Sequence, residues 1–242
     1  RLVGSEMCIR DRQLSWEVIE MDRACTIVIH TNKISHHVTF STPFGDYTLH
    51  VNFPSRIFND KKVIVTISQD HPVEWLKQWI DYHKVVHNVD GFLIYNNRST
   101  IYTTEELSAE LYRNDMSIVV VDYDVPFGVM GGGLWEWQGR TGTYLPWDSD
   151  FSQYVMLEHA KWRYLHNAKL AINADTDELL VIKNSNLDGV ADYCATGEHS
   201  VLLYDGIWIE PVDSITGMVA ENVAFSDRKF SNYWHTTNGD GR

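Results

Sequence analysis

Basic side chains are scarce in this chain. Twenty Lys and Arg stand against 33 Asp and Glu, which leaves a formal net charge of −13 at pH 7. No Lys/Arg cluster builds a patch or stripe, so nucleic acid and anionic membrane surfaces are excluded as partners. Cysteine is nearly missing too. Cys8, Cys25 and Cys194 are too few and too scattered for a disulfide framework or a zinc site. Their scarcity fits a reducing compartment, and a cytoplasmic location is the expectation. No apolar run approaches the ~20 residues that a membrane helix needs, so no transmembrane segment is expected in this chain. Internal repeats and low-complexity segments are absent as well. What remains is ordinary globular composition: 242 residues, 44% hydrophobic and 22% charged, enough for one large domain or two small ones. Aromatic residues reach 12%, with nine Trp, which suits a dense core and a sugar-stacking surface equally well.

The first dozen residues, "RLVGSEMCIRDR", read as the translation of a transposon-type sequencing-library adapter. Residues 1–12 are therefore set aside as an expected artefact, and Cys8 with them. The end, "TTNGDGR", closes no element, so a fragment is expected, with truncation at the C-terminus. Residues 13–58 carry alternating pieces such as "CTIVIHT" and "YTLHVNF", with "TPFGD" as a turn. These predict a small antiparallel β appendage. Residues 59–242 form the second expected domain.

In that domain the periodicity sharpens. "KVIVTIS" (Lys62 to Ser68) is a β-branched run that predicts a buried strand. Asp70 as a cap, Pro72 in the first turn and Glu74 then signal a helix start, and Val73, Leu76, Ile80, Tyr82/His83 and Val86 recur at helical spacing. "VDGFLIYNN" predicts a second strand, "TTEELSAELYRN" a short helix with Thr104 as its N-cap, and "MSIVVVDYD" a third strand. An irregular stretch rich in Gly and Trp (125–147) precedes a third helix, "DSDFSQYVMLEHAKWRYLHN", capped near Asp148 or Ser149. A core strand from Leu170 to Ala174 follows, and Leu179 to Ile182 continues in the same apolar vein. Strands alternating with helices predict an α/β fold with a mostly parallel sheet flanked by helices. Such sheets bind ligands at the carboxyl ends of their strands. Asp70, Asn96 with Asn97, Asp122 with Asp124, and Asp175 with Asp177 all fall at those ends.

In "KLAINADTDELLVI", Asp175, Asp177 and Glu178 stand between two apolar runs. Three carboxylates there repel one another unless a positive charge sits among them. Hard divalent cations prefer oxygen ligands, and a D-x-D turn can aim two carboxylates at one ion. Mg²⁺ or Mn²⁺ would take its remaining ligands from diphosphate and water. The bland alternative is a solvated acidic turn.

"VIVTISQDHPVEWLKQWIDYHKVVHNVDGFLIYNNRST" resembles the opening of GT-A-type glycosyltransferases related to families 2 and 92. That opening runs through a strand, an Asn-Glu-like pair, an E-W-x-x-x-H helix and a strand ending in Y-D-N-x-S. The places are taken here by Gln69-Asp70, then Glu74, Trp75 and His83, then Tyr95, Asn96, Asn97 and Ser99. "WDSDFSQYVMLEHAKWRYLHNAKLAINADTDELLV" is similar to the Q…H helix and D-x-D-E strand of the same group, through Gln153, His159, Asp175, Asp177 and Glu178. The likeness spans about half the chain, residues 61–182. Two departures stand out: Asn96 where the group often has Asp, and Gln69-Asp70 where it often has Asn-Glu.

The resemblance implies a GT-A-like, Rossmann-type fold and a metal-dependent hexosyltransferase of bacterial type. It would pass a sugar from a nucleotide-diphosphate donor to a carbohydrate or glycolipid hydroxyl, with inversion. It also implies that Asp175 and Asp177 hold Mn²⁺ or Mg²⁺, and that Asp70, Asn96, Asn97 and Gln153 contact the nucleotide. Asp70 reads equally well as a helix cap, Glu178 equally as reaching the metal through water or capping a helical turn, and His159 as a core histidine rather than a site residue. In the loop "VPFGVMGGGLWEWQGRTGTYLPW", Trp135 and Trp137 are candidates for stacking on the acceptor. A carboxylate must take the proton of the attacking hydroxyl. Asp205, Glu210 and Asp213 are candidates, with Glu210 preferred, and His235 is a candidate third metal ligand. Two rivals remain: a metal-dependent nucleotidyltransferase or phosphohydrolase, and a non-catalytic carbohydrate-binding domain with a degenerate site.

Overall fold

A computed structural model describes residues 15–20, 25–32, 36–42, 44–127, 151–197, 201–206, 209–210 and 234–235. Trp135, Trp137, Asp148, Ser149 and Asp213 lie outside the described residues. The chain divides into two compact units, one of residues 1–59 with 124–167, the other of residues 60–123 with 168–242.

The first unit holds two antiparallel hairpins. β1 (Ser15–Glu20) pairs with β2 (Cys25–His30), and β3 (His37–Thr42) with β4 (Gly45–His50). Thr42 lies opposite Gly45, which takes φ +134°, a conformation that side chains resist. The predicted third helix is present over its described residues. Helix α3 (Phe151–Ala160) passes into a π-helical turn, Lys161–Leu165. Glu158 joins it to β2 by accepting from Thr26 Oγ1 and Trp162 Nε1, both at 3.0 Å. His159 is exposed, with its ring edge-on to Tyr164, so it is not the core histidine expected from sequence. Its neighbours Met156 and Ala160 take the buried positions instead.

The second unit is built on a four-stranded parallel sheet in the order β7-β6-β5-β8. Its strands are β5 (Lys62–Ser68), β6 (Gly91–Asn96), β7 (Ser117–Asp122) and β8 (Leu170–Asn173). β5 and β6 are buried almost throughout, as strands covered on both faces must be, while the edge strands β7 and β8 are only partly covered. Helices α1 (Val73–His87) and α2 (Thr104–Leu111) link these strands. The result is an α/β architecture compatible with a Rossmann-like fold, as the alternation of strand and helix predicts.

Leu76, Trp79, Ile80, His83 and His87 form the buried face of α1, at the i, i+3, i+4, i+7 spacing of one helical stripe. Val86, expected on that face, is exposed, because the stripe reaches His87 instead. The helix stops at Asn88, which adopts the left-handed φ of 51°; its N–H donates to Lys84 O and Val89 N–H to His83 O. On the core side Trp79 meets Phe92 edge-on, ring centroids 5.4 Å apart. At the amino end of the sheet, buried Lys62 is gripped by both oxygens of Asp188 at 3.1 and 3.2 Å. Asp188 opens helix α4 (Leu187–Ala195), which Asn186 caps through Gly189 N–H.

Helix α2 begins one residue earlier than Thr104 implied. Thr103 is its N-cap and forms a reciprocal capping box with Glu106, at 3.1 and 2.8 Å. The Thr104 hydroxyl bonds elsewhere, accepting from Asn96 Nδ2 at 3.0 Å. Thr103→Ala is expected to lower the unfolding free energy by ~1 kcal/mol in urea titrations.

Candidate functional site

β5 is the strand at which the chain changes direction. β6 and then β7 are added on one side of it, and β8 on the other. The switch point of the sheet therefore lies at the carboxyl ends of β5 and β8, where open α/β sheets as a rule form the crevice that takes ligands. Ser68, Gln69, Asp70 and His71 lie there on the side of β5. Ala174, Asp175, Thr176 and Asp177 lie there on the side of β8, whose pairing with β5 is prolonged by Ala174 N–H to Val65 O.

His71 is the group that sequence reasoning missed. Its Nδ1 lies 3.0 Å from Ser68 Oγ, and its ring nitrogens lie 3.4 and 3.5 Å from Thr176 Oγ1. It spans the two strand ends and, when protonated, brings positive charge to an acidic place. A lone His after a strand carries no periodic signal, so nothing in the sequence singled it out. Tyr204 was missed for the same reason. Its hydroxyl donates to Asn173 O, and the ring stands close enough to Glu178 and Asp175 for their charges to push its phenol upward, after burial.

The D-x-D-E turn is closed on itself. Glu178 accepts from Asp175 N–H at 3.0 Å, and Glu178 N–H returns to Asp175 O at 3.0 Å. Glu178 is thus a turn cap, the second of its two expected roles. Asp175 reaches solvent but is partly covered. Burial pushes its carboxyl above the ordinary range, and Glu178 and Asp177 push further, with only His71 opposing. Among the described residues, no three His, Cys, Asp or Glu side chains converge as a metal cluster. Two carboxylates beside open space nonetheless fit in type a hard cation that draws its other ligands from phosphate and water.

The apolar run after the turn is not a strand. Leu179 to Ile182 is irregular backbone fastened to α1 by rings. Trp79 Nε1–H donates to Glu178 O at 2.9 Å, while Tyr82 OH and His87 Nε2 donate to Leu180 O at 2.9 and 2.6 Å. His83 accepts from Leu180 N–H through Nε2 at 3.3 Å and donates from Nδ1 to Trp79 O at 2.8 Å. That pair of bonds fixes a neutral imidazole, and burial holds the His83 pKa down at about 4.

The remaining predicted residues are distributed along the strand ends. Asp70, at φ 54°, does not cap α1, whose N-cap is Pro72 without a side-chain bond. Its carboxylate instead accepts from Thr100 N (2.5 Å), Ile101 N (3.2 Å) and Thr100 Oγ1 (3.2 Å), while its own N–H donates to Ser99 Oγ. The Thr100 amide is the main reason that its carboxyl lies below the ordinary range. Asn97 ties β6 to its neighbours, from its N–H to Ser68 O and from Nδ2 to Tyr123 O. Asn96 is 3% exposed, and its Oδ1 is buried without a hydrogen-bond partner among the described residues. Asp122 is exposed and accepts weakly from Thr104. Gln153 is half-buried on α3, and Asp124 is exposed; both belong to the first unit. Asp205 is exposed, directly after Tyr204. Glu210 lies in the two-residue strand β9 (Ile209–Glu210), paired with β10 (Trp234–His235); the side chains of Glu210 and His235 lie outside the described residues.

A recess of about 630 Å³ lies elsewhere, lined by Thr104, Glu105, Ser108, Ala109, Tyr112 and Val120. It carries one carboxylate and no imidazole or cation, so the chemistry favours the switch point.

Two outcomes test this electrostatic picture. Asp175→Asn is expected to raise the melting temperature at pH 7 in chelator, because it removes a like charge. A carboxylate held for structure would make the same change destabilising. His83, lowered from 6.5 to about 4, contributes stability that is complete above pH 6.5 and is lost as pH falls from there to about 4. The loss should amount to about 3 kcal/mol in denaturant titrations and be missing from His83→Gln.

No protein-family model, no curated protein and no solved structure matches this chain.

Proposed function

We propose that this chain is a metal-dependent glycosyltransferase of the GT-A type, passing a sugar from a nucleotide-diphosphate donor to a carbohydrate or lipid-linked hydroxyl with inversion. The observation that carries the reading is the D-x-D-E turn after β8, where Asp175 and Asp177 are exposed and repel one another at the carboxyl end of the strand paired with β5. In this reading Asp175 and Asp177 hold Mn²⁺ or Mg²⁺. When bound, the cation neutralises charge on the diphosphate leaving group.

The chain's own residues supply the rest. His71 stands between the strand ends, where a ring N–H can donate to a phosphate oxygen. Asp70 shapes the loop at 98–101 that follows β6. Asn96 offers an unmatched acceptor, its Nδ2 already committed to Thr104, and a base edge carrying an N–H would satisfy it. Asn97 completes the proposed donor contacts within the second unit; Gln153, a donor contact by sequence resemblance alone, belongs to the first. Glu210 is the proposed base for the acceptor hydroxyl.

Titration calorimetry with UDP and GDP tests the reading. Binding that requires Mn²⁺ and disappears in Asp175→Ala/Asp177→Ala is expected. Binding indifferent to chelator and to the double substitution, or no binding by folded protein, would contradict it. Nucleotide binding with no sugar transfer to any acceptor would favour the non-catalytic carbohydrate-binding alternative.

A further inference from the structure

The D-x-D-E turn follows a short strand of four residues, and the backbone after it pairs with no strand among the described residues. Something else must hold that backbone still, and α1 does so. Four ring positions on one side of the helix, Trp79, Tyr82, His83 and His87, each bond to a backbone group of Glu178 or Leu180. The rings also brace one another edge-on: Trp79 with His83 at 4.9 Å, Tyr82 with His83 at 5.1 Å and Tyr82 with His87 at 5.8 Å between centroids. The packing leaves them little rotamer freedom, so each bond is made without further ordering cost.

We infer that this ring ladder is a positioning device for the cation site: α1 fixes the backbone immediately after Asp177 and thereby sets how well Asp175 and Asp177 close on one ion. The inference rests on the proposed function, which places the ion there. It gives Tyr82, His83 and His87, which the sequence pattern marked at most as positions on a helix, a part in supporting the metal turn. The geometry explains why rings are used. Leu180 O accepts two bonds at once, from Tyr82 and His87, while Leu180 N–H goes to His83, so both polar groups of that residue are satisfied away from any strand. Partners outside the ligand sphere commonly govern metal affinity by about 10–100-fold.

The test is Mn²⁺ affinity, read by electron paramagnetic resonance of free Mn²⁺ on folded protein in the cold. Wild type, Tyr82→Phe, His83→Leu and His83→Gln are compared, with circular dichroism checking that each is folded. Tyr82→Phe removes one hydroxyl and keeps the ring, so it remains informative should His83→Leu fail to fold. The Gln amide can accept from Leu180 N–H and donate to Trp79 O, as the imidazole does. Weakening of about tenfold in Tyr82→Phe and His83→Leu, with recovery in His83→Gln, is expected. Equal affinity in folded Tyr82→Phe and wild type would overturn the positioning role while leaving the metal site intact. A wild type that binds no Mn²⁺ would overturn the proposed function itself.

Discussion

Parallel strands cannot be joined by a tight turn, so each must be followed by a crossover that leaves its carboxyl end open. In the second unit this constraint acts twice at β5, which has β6 on one side and β8 on the other. The strand ends on either side of that reversal cannot be covered by a common connection. Everything of chemical interest follows from it: His71 between the ends, the acidic turn after β8, and the loop at 98–101 held by Asp70.

Charge is distributed unevenly between the two ends of the sheet. At the amino end, buried Lys62 and neighbouring Lys169 share Asp188, and Lys169 also reaches Asp192. A buried ammonium there is matched as it must be. At the carboxyl end, burial first and then the charges of Glu178 and Asp177 push the Asp175 carboxyl above its ordinary range, against one imidazole. Folding alone gains nothing from that repulsion. In the proposed function a cation would relieve it. The neutral His83 in the ring ladder adds no competing positive charge next to the turn.

Much of the second unit was legible because its signals are local. The β-branched run of β5, the stripe of α1 and the placement of D-x-D after a strand each depend on residues close in sequence. The failures came where the third dimension chose between equal local options. Thr103 and Thr104 are both good caps, and the reach from Thr104 to Asn96 settles which one serves. Leu179 to Ile182 has the apolar character of a strand, but β8 already forms that edge of the sheet and α1 takes up the backbone instead. Asp70 had the look of a helix cap, yet its partners lie about thirty residues away at Thr100 and Ile101. His71 and Tyr204 gain meaning only from neighbours distant in sequence.

The proposed function stands or falls on place: a divalent cation belongs at the carboxyl ends of β5 and β8. Paramagnetic broadening of backbone amide resonances by substoichiometric Mn²⁺ locates it directly. Broadening is predicted first at residues 69–71 and 174–178, with the amides near Lys62 and Asp188 unaffected. Broadening spread evenly over the acidic surface, or centred away from those strand ends, would contradict it.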